Sequence, residues 1–204
     1  MNTAHYSLPK QYGYTDRTIN TGNVQHFKTG ILVGMPLSKH TVIETGLLLN
    51  GKGGQTEASK PYYLWEHSQT KSLYLEMPIN MIYTIKINRS FSLFAGGGIY
   101  VAMGIGGSNR YDGLYGDIYP MFVSETAVIH YQNEASNSID GGAYGTLKKW
   151  DYGFNFLGGI RFKKVQLFCN YALGLKDVNP SSDKKDSMGK NRVLSYGIGY
   201  TFSL

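Results

Sequence analysis

Apolar and polar residues alternate along most of this chain with a period of two. The pattern is most regular from Ser72 to Gly107. It reads there as two strands, Ser72–Asn88 and Phe91–Gly107, joined by a tight turn at Asn88-Arg89-Ser90. In the first strand Leu73, Leu75, Met77, Ile79, Met81, Tyr83, Ile85 and Ile87 share one face, and Tyr74, Glu76, Asn80, Thr84 and Lys86 share the other. In the second, Phe91, Leu93, Ala95, Ile99, Val101, Met103 and Ile105 oppose Ser92, Gly96, Gly98, Tyr100, Gly104 and Gly106. Extended backbone sends successive side chains to opposite sides, whereas a helix would scatter both sets around its circumference.

Five further segments repeat the design: His26–Leu37, Thr41–Lys52, Trp150–Phe162, Val165–Lys176 and Arg192–Leu204. Seven strands are therefore expected, with almost no helix. Residues 1–24 are polar and turn-rich and show no clear strand, so the chain divides into a polar N-terminal segment (1–24) and a strand domain (25–204). The connections alternate between tight turns, near residues 38, 89 and 164, and long segments, 51–71, 107–149 and 177–191. Within the longest, Met121–Tyr131 is apolar enough for a short hairpin. Sorting of loops into short and long is a habit of transmembrane barrels, with short periplasmic turns and longer outer loops.

A soluble up-and-down barrel would alternate equally well. Three features favour the membrane. The polar face is rich in glycine, as a narrow interior needs. The apolar face is almost free of charge over about 9–11 residues per strand, the span of a tilted strand in a bilayer. Aromatic residues gather towards strand ends (Phe27, Tyr83, Phe91, Tyr152, Phe162, Tyr171, Tyr200, Phe202), as interfacial girdles do. The expected fold is an all-β, antiparallel, up-and-down transmembrane barrel, with outer-membrane lipid as its surroundings.

Composition supports this. The 204 residues include 26 Gly and 17 Tyr but only 6 Pro, a mixture suited to closely packed strands. No stretch of 18 apolar residues occurs, so no transmembrane helix is expected. The formal charge of +6 is dispersed over strand ends and turns, which suits lipid head groups and argues against nucleic acid. The single cysteine, Cys169, rules out an internal disulfide framework and sits on an apolar strand face. The first residues lack a basic region followed by an apolar core, so an exported protein is expected here in its mature form.

Several segments resemble the PorT-type outer-membrane β-barrel family of Bacteroidota: Ser72-Leu-Tyr-Leu-Glu-Met-Pro78, Phe91-Ser-Leu-Phe-Ala-Gly-Gly97, Tyr152-Gly-Phe-Asn-Phe-Leu-Gly-Gly159, Tyr171-Ala-Leu-Gly-Leu175 and the ending Asn191 to Phe202. The likeness covers residues 26–204 and implies an eight-stranded barrel in the Gram-negative cell outer membrane. One member of that family serves type IX secretion and gliding. The ending also resembles the signal read by the barrel assembly machinery, with Ser195, Gly197, Tyr200 and Phe202 in its places and Ser203-Leu204 as a departure. The family's first strand has no clear counterpart. Some segment, such as Ala4–Tyr12, is expected to fill the gap between the strands beginning at His26 and Arg192, because an open edge is not viable in lipid.

The search for chemistry is mostly negative. Gly96-Gly97-Gly98 lacks the spacing and the helix start of a phosphate loop. His5, His26, His40, His67 and His130 have no ligand spacing. Asp177, Asp183 and Asp186 are interrupted by Lys184 and Lys185 and read as a solvated loop. His130 with a nearby Ser could imitate a lipid A acylase or deacylase, but nothing fixes a base beside a nucleophile. No catalytic residue, cofactor or metal is expected. One constellation stands out: the inward charges Lys28, Glu44, Glu76, Lys86, Asp151 and Arg161. An eight-stranded interior is just filled by side chains, so these are expected to plug the lumen, with Glu44 and Lys86 placed to pair. The expected function is a small non-enzymatic barrel whose loops, chiefly 107–149, contact a partner protein or a surface polysaccharide. A narrow pore or a transport or secretion accessory is the alternative, and a lipid A-modifying enzyme a third.

Overall fold

The structure is a computed structural model that describes residues 2–7, 18–60, 64–115, 119–132, 146–178 and 190–202. Thirteen strands occur among them, and no helix. They are β1 (Asn2–Ser7), β2 (Thr18–Gly22), β3 (Val24–His26), β4 (Lys28–Pro36), β5 (Thr41–Lys60), β6 (Leu64–Lys86), β7 (Phe91–Tyr115), β8 (Met121–Val128), β9 (His130–Gln132), β10 (Thr146–Lys148), β11 (Trp150–Phe162), β12 (Val165–Asp177) and β13 (Lys190–Tyr200). Apart from a short parallel pair, β9 with β10, every ladder is antiparallel.

The ladder runs β4–β5–β6–β7–β11–β12–β13–β1–β3. Its two ends are neighbours in the chain, since only Phe27 separates β3 from β4. The supposedly strandless residues 1–24 therefore hold two strands. β2 lies along the far end of β5, and β1 lies between β13, with six residue pairs, and β3, with three. Asn2-Thr-Ala-His-Tyr-Ser7 has no apolar alternation to betray it. Its strand state comes from two neighbouring edges that need partners, a tertiary override of a weak local preference. Residues 8–12 of the expected first strand lie outside the described residues.

The faces decide between lipid and water. The outward residues are apolar and exposed, among them Ile31, Met81, Ile85, Ile99, Phe154, Leu167 and Ile198. The buried residues include many polar and charged ones: Asn50, Lys52, Glu76, Asn80, Asp151, Asn155, Asn170 and Asn191. A soluble barrel has the reverse arrangement. Exposed apolar surface on this scale needs a non-aqueous neighbour. Cys169 and the girdle residues Phe27, Tyr83, Tyr152, Phe162, Tyr171, Tyr200 and Phe202 are exposed on this belt. On the inside the strands crowd. A Cβ on Gly98 would collide with the backbone carbonyl of Ile79 on β6.

β5, β6 and β7 also run well past the expected ends at Lys52, Ser72 and Gly107. The reason lies at one level of the barrel. β7 carries an extra residue there, so the pairing shifts between Leu73 with Gly106 and Tyr74 with Gly104. Gly53 and Gly107, at φ of 152° and 149°, flank the same level, where a side chain would be strained. Past the bulge the phase of β7 inverts. Odd residues face outward up to Ile105, then even ones (Ser108, Arg110, Leu114). The alternation was broken while the strand was not. β8 then pairs with β7, so Met121–Val128 is a single strand and not a hairpin of its own. Residues 133–145 of the long segment lie outside the described residues.

Deleting residues 1–7 should abolish heat-modifiable gel mobility of protein refolded in detergent, because β13 and β3 would each expose an unpaired edge to hydrocarbon. Unchanged mobility would mean that β1 is not a structural stave.

Candidate functional site

The polar lumen is built by alternation. Each strand crosses the wall once and sends every second side chain inward, so a few inward polar residues per strand converge on the axis. Lys28 comes from β4, Asn50 and Lys52 from β5, Tyr74 and Glu76 from β6, Tyr100 from β7, Asp151 from β11, Asn170 from β12 and Asn191 from β13.

Lys52 is the centre. Its Nζ lies 2.9 Å from Glu76 Oε2 and 3.0 Å from Asp151 Oδ2, with all three side chains fully buried. It also sits 4.1 Å from the ring centroid of Tyr100 and 5.2 Å from that of Tyr74. Glu76 takes a second cation, Lys28 Nζ at 3.0 Å, and accepts a hydrogen bond from Asn50 Nδ2 at 2.8 Å. Asp151 accepts from Asn191 Nδ2 at 2.9 Å and from the Tyr100 hydroxyl at 3.3 Å. Lys28 donates to Asn170 Oδ1 at 3.4 Å. Two ammonium groups thus face two carboxylates, and the cluster is neutral. Burying such charges is tolerable only when they are paired and hydrogen-bonded.

Of the six charges expected inside, Lys28, Glu76 and Asp151 belong to this cluster. Glu44 and Arg161 form a separate group nearer the short turns. Glu44 is hydrogen-bonded to Asn80, and Arg161 Nη2 donates to Gln166 Oε1 at 3.0 Å with its guanidinium 5.5 Å from the Phe94 ring centroid. Lys86 joins neither group. It is exposed on the last rung of β6, where the lumen opens to water, and no ion pair links it to Glu44 among the described residues. Lys52, the central residue, stands at the expected end of the Thr41–Lys52 strand, which continues to Lys60. Its position continues the even-numbered inward series Glu44, Leu48 and Asn50, which was the available signal.

The long-connection end of the lumen is capped by the segment after β8. Ile129 is buried there. The ring of Tyr131 packs edge-on against Tyr74 at 5.8 Å, and its hydroxyl donates to the carbonyl of Gly106 at 2.9 Å. Burial pushes the Tyr131 phenol up to about 12, so it remains a donor. Gly104 makes room for it, since a Cβ at that position would collide with the ring. β10 holds this cap from the other side, with Lys148 N donating to the carbonyl of Val178, itself buried. Sequence reading placed Tyr131 in an outward-reaching loop; it is a lid on the cluster.

Chemically the site is a bracing network. No group of three or more His, Cys, Asp or Glu residues is arranged for a metal among the described residues. His130 is exposed. Asp183 and Asp186 lie outside the described residues, as do Ser203 and Leu204. In the terminal signal, Ser195 is buried and faces inward, while Tyr200 and Phe202 are exposed with ring centroids 4.7 Å apart.

Residues 14–179 match the family model described as outer membrane protein beta-barrel domain. No curated protein matches the chain.

Lys52→Met should destabilise the folded barrel by about 3–5 kcal/mol, because Glu76 and Asp151 are left short of a buried cation. Lys52→Met combined with Asp151→Asn restores charge balance around Lys28 and Glu76 and should recover at least half of the loss in urea unfolding from micelles. A single substitution without effect would contradict the pairing. Gly104→Val should displace Tyr131 and speed amide exchange at residues 129–132 while leaving the β6–β7 ladder protected. Unchanged exchange there would contradict the lid.

Proposed function

The chain belongs to the outer membrane protein β-barrel domain family, and from that premise we propose that it is a sealed, non-enzymatic membrane anchor whose working surface is the part of β5–β8 that stands beyond the lipid belt. One observation carries this reading. The lumen is crossed by a neutral, ion-paired cluster to which seven strands contribute and is capped by Tyr131, while β5, β6 and β7 continue as sheet past the rim bulge at Ile105. A filled interior suits an anchor, and an extended rigid wall suits presentation.

Within this reading the barrel has eight staves: β1, the β2–β4 run, β5, β6, β7, β11, β12 and β13. Antiparallel pairing through all of them, with β1 between β13 and β3, supports the count. The short turns at 37–40, 87–90 and 163–164 face the periplasm, and the extensions of β5–β8 face outward. Ser195, Gly197, Tyr200 and Phe202 serve recognition by the assembly machinery. The PorT-type assignment, with any role in secretion, rests on the segment likenesses alone. The partner is a protein or a surface polysaccharide met by the β7–β8 extension within residues 107–149.

Planar-bilayer recording of the purified protein should show no stable conductance. A steady open channel would overturn the sealed reading in favour of a narrow pore. In intact cells, Thr126→Cys in a Cys169→Ser background should react with a membrane-impermeant maleimide. Labelling only after lysis would reverse the orientation.

A further inference from the structure

The outward face of β5–β8 changes character abruptly at the rim bulge. Below it the face is apolar, with Leu49, Met77, Val101 and Ile105 exposed. Above it the same face, carried by the continuations of β5, β6 and β7 and by β8, is mixed, with polar rows set between exposed Trp65, Leu114, Phe122 and Val128. The ladder fixes its rows. Gln55, Gln69, Arg110 and Thr126 form one row across β5, β6, β7 and β8, and Glu57, His67, Asp112 and Ser124 form the next. Trp65, Leu114 and Phe122 stand above them, and Lys71, Ser108 and Val128 below. From Lys71 to Trp65 the face rises about 20 Å, at roughly 3.3 Å per residue.

These side chains are already held in place. The Trp65 and His67 rings are stacked, with centroids 6.1 Å apart and planes 9° off parallel. His67 Nδ1 lies 3.5 Å from Glu57 Oε1. Arg110 Nε donates to Asp112 Oδ2 at 3.0 Å, and Ser124 Oγ donates to Asp112 Oδ1. That hydroxyl bond, with Arg110 beside it, keeps the Asp112 carboxyl below its usual range. The Arg110 side chain is 61% exposed. Positive and negative groups are interspersed here, so the face is no simple phosphate patch.

We propose that this face is a binding platform for the saccharide head group of outer-leaflet glycolipid, whose acyl chains lie against the apolar belt directly beneath it. The argument is continuity. A lipid that covers Leu49, Met77 and Ile105 must place its head group against the next rows up, and in an outer membrane that head group is a sugar. The chemistry fits. The apolar face of a pyranose stacks on the partly exposed Trp65, while Gln55, Gln69, Arg110 and Glu57 offer the planar donors and acceptors that vicinal hydroxyls require. The proposal deepens the anchor reading by naming the polysaccharide class and the residues. It needs β5–β8 to stand outside the membrane, which the labelling of Thr126→Cys tests separately, and it is indifferent to conductance.

The test uses the full chain in phospholipid nanodiscs in a Trp150→Phe background, leaving Trp65 as the fluorophore. The probe is the deacylated core oligosaccharide of lipopolysaccharide. Its titration should give a saturable change in Trp65 emission. Gln69→Ala with Arg110→Ala should raise the Kd at least tenfold, whereas Thr56→Ala with Ser68→Ala, on the inner face of the same rungs, should leave it within twofold. All variants should keep heat-modifiable mobility, which separates a lost site from a lost fold. Absence of saturable binding, equal binding by the platform variant, or an emission change reproduced by inorganic phosphate alone would each overturn the proposal. So would saccharide indifference combined with stoichiometric capture of a protein by the same face.

Discussion

A strand in hydrocarbon has no water to satisfy its backbone amides and carbonyls, and each orphaned group costs several kcal/mol. Everything else in this molecule answers to that constraint. It favours pairing on both edges of a strand, which is why six residues as unpromising as Asn2–Ser7 are held as strand between β13 and β3. It also fixes register. A slip of one residue on β6 would carry Glu76 and Asn80 out to the lipid and Met77 and Ile79 into the charge cluster.

The polar interior follows from the same alternation. Once the apolar set is committed to lipid, the opposite set must fill a narrow tube. It does so in two ways. Near the short turns, glycines and a few apolar side chains such as Ile82 and Phe94 take up the space. Further along, Lys52 binds two carboxylates on strands that do not pair with each other, β6 and β11. A buried ion cluster is weak evidence for added stability by itself. Its role here is geometric: it links strands that the ladder does not join directly, β5 with β11.

The architecture was legible because period-two alternation survives wherever one face meets lipid. Seven strands and the three short turns could be placed from it, with β11 found at its full extent. What escaped reading escaped for physical reasons. At Ile105 the phase of β7 breaks while the hydrogen bonding continues, which hides the rest of that strand. Beyond the rim polar residues occupy both faces of β5 and β6, with Trp65 an exposed exception, and a two-sided polar strand carries no periodic signal. The candidate site was read in part. Glu76 and Asp151 stood on clear inward positions, but Lys52 lay just where the strand was thought to stop. Tyr131 reaches the lumen from a segment whose sequence says nothing about the direction of its return. Lys86 shows the converse error, since inward parity means little on the last rung, where water enters.

One face of these strands meets lipid and the other a side-chain-filled interior. Spin labels placed singly at residues 77 to 82 of β6 in proteoliposomes test this directly, by comparing relaxation by dissolved oxygen with relaxation by a water-soluble nickel chelate. Labels at 77, 79 and 81 should respond strongly to oxygen and hardly to nickel, and labels at 78, 80 and 82 to neither. Strong nickel access at the even positions would mean an open channel, and strong nickel access at the odd positions would mean that the apolar face never meets a membrane.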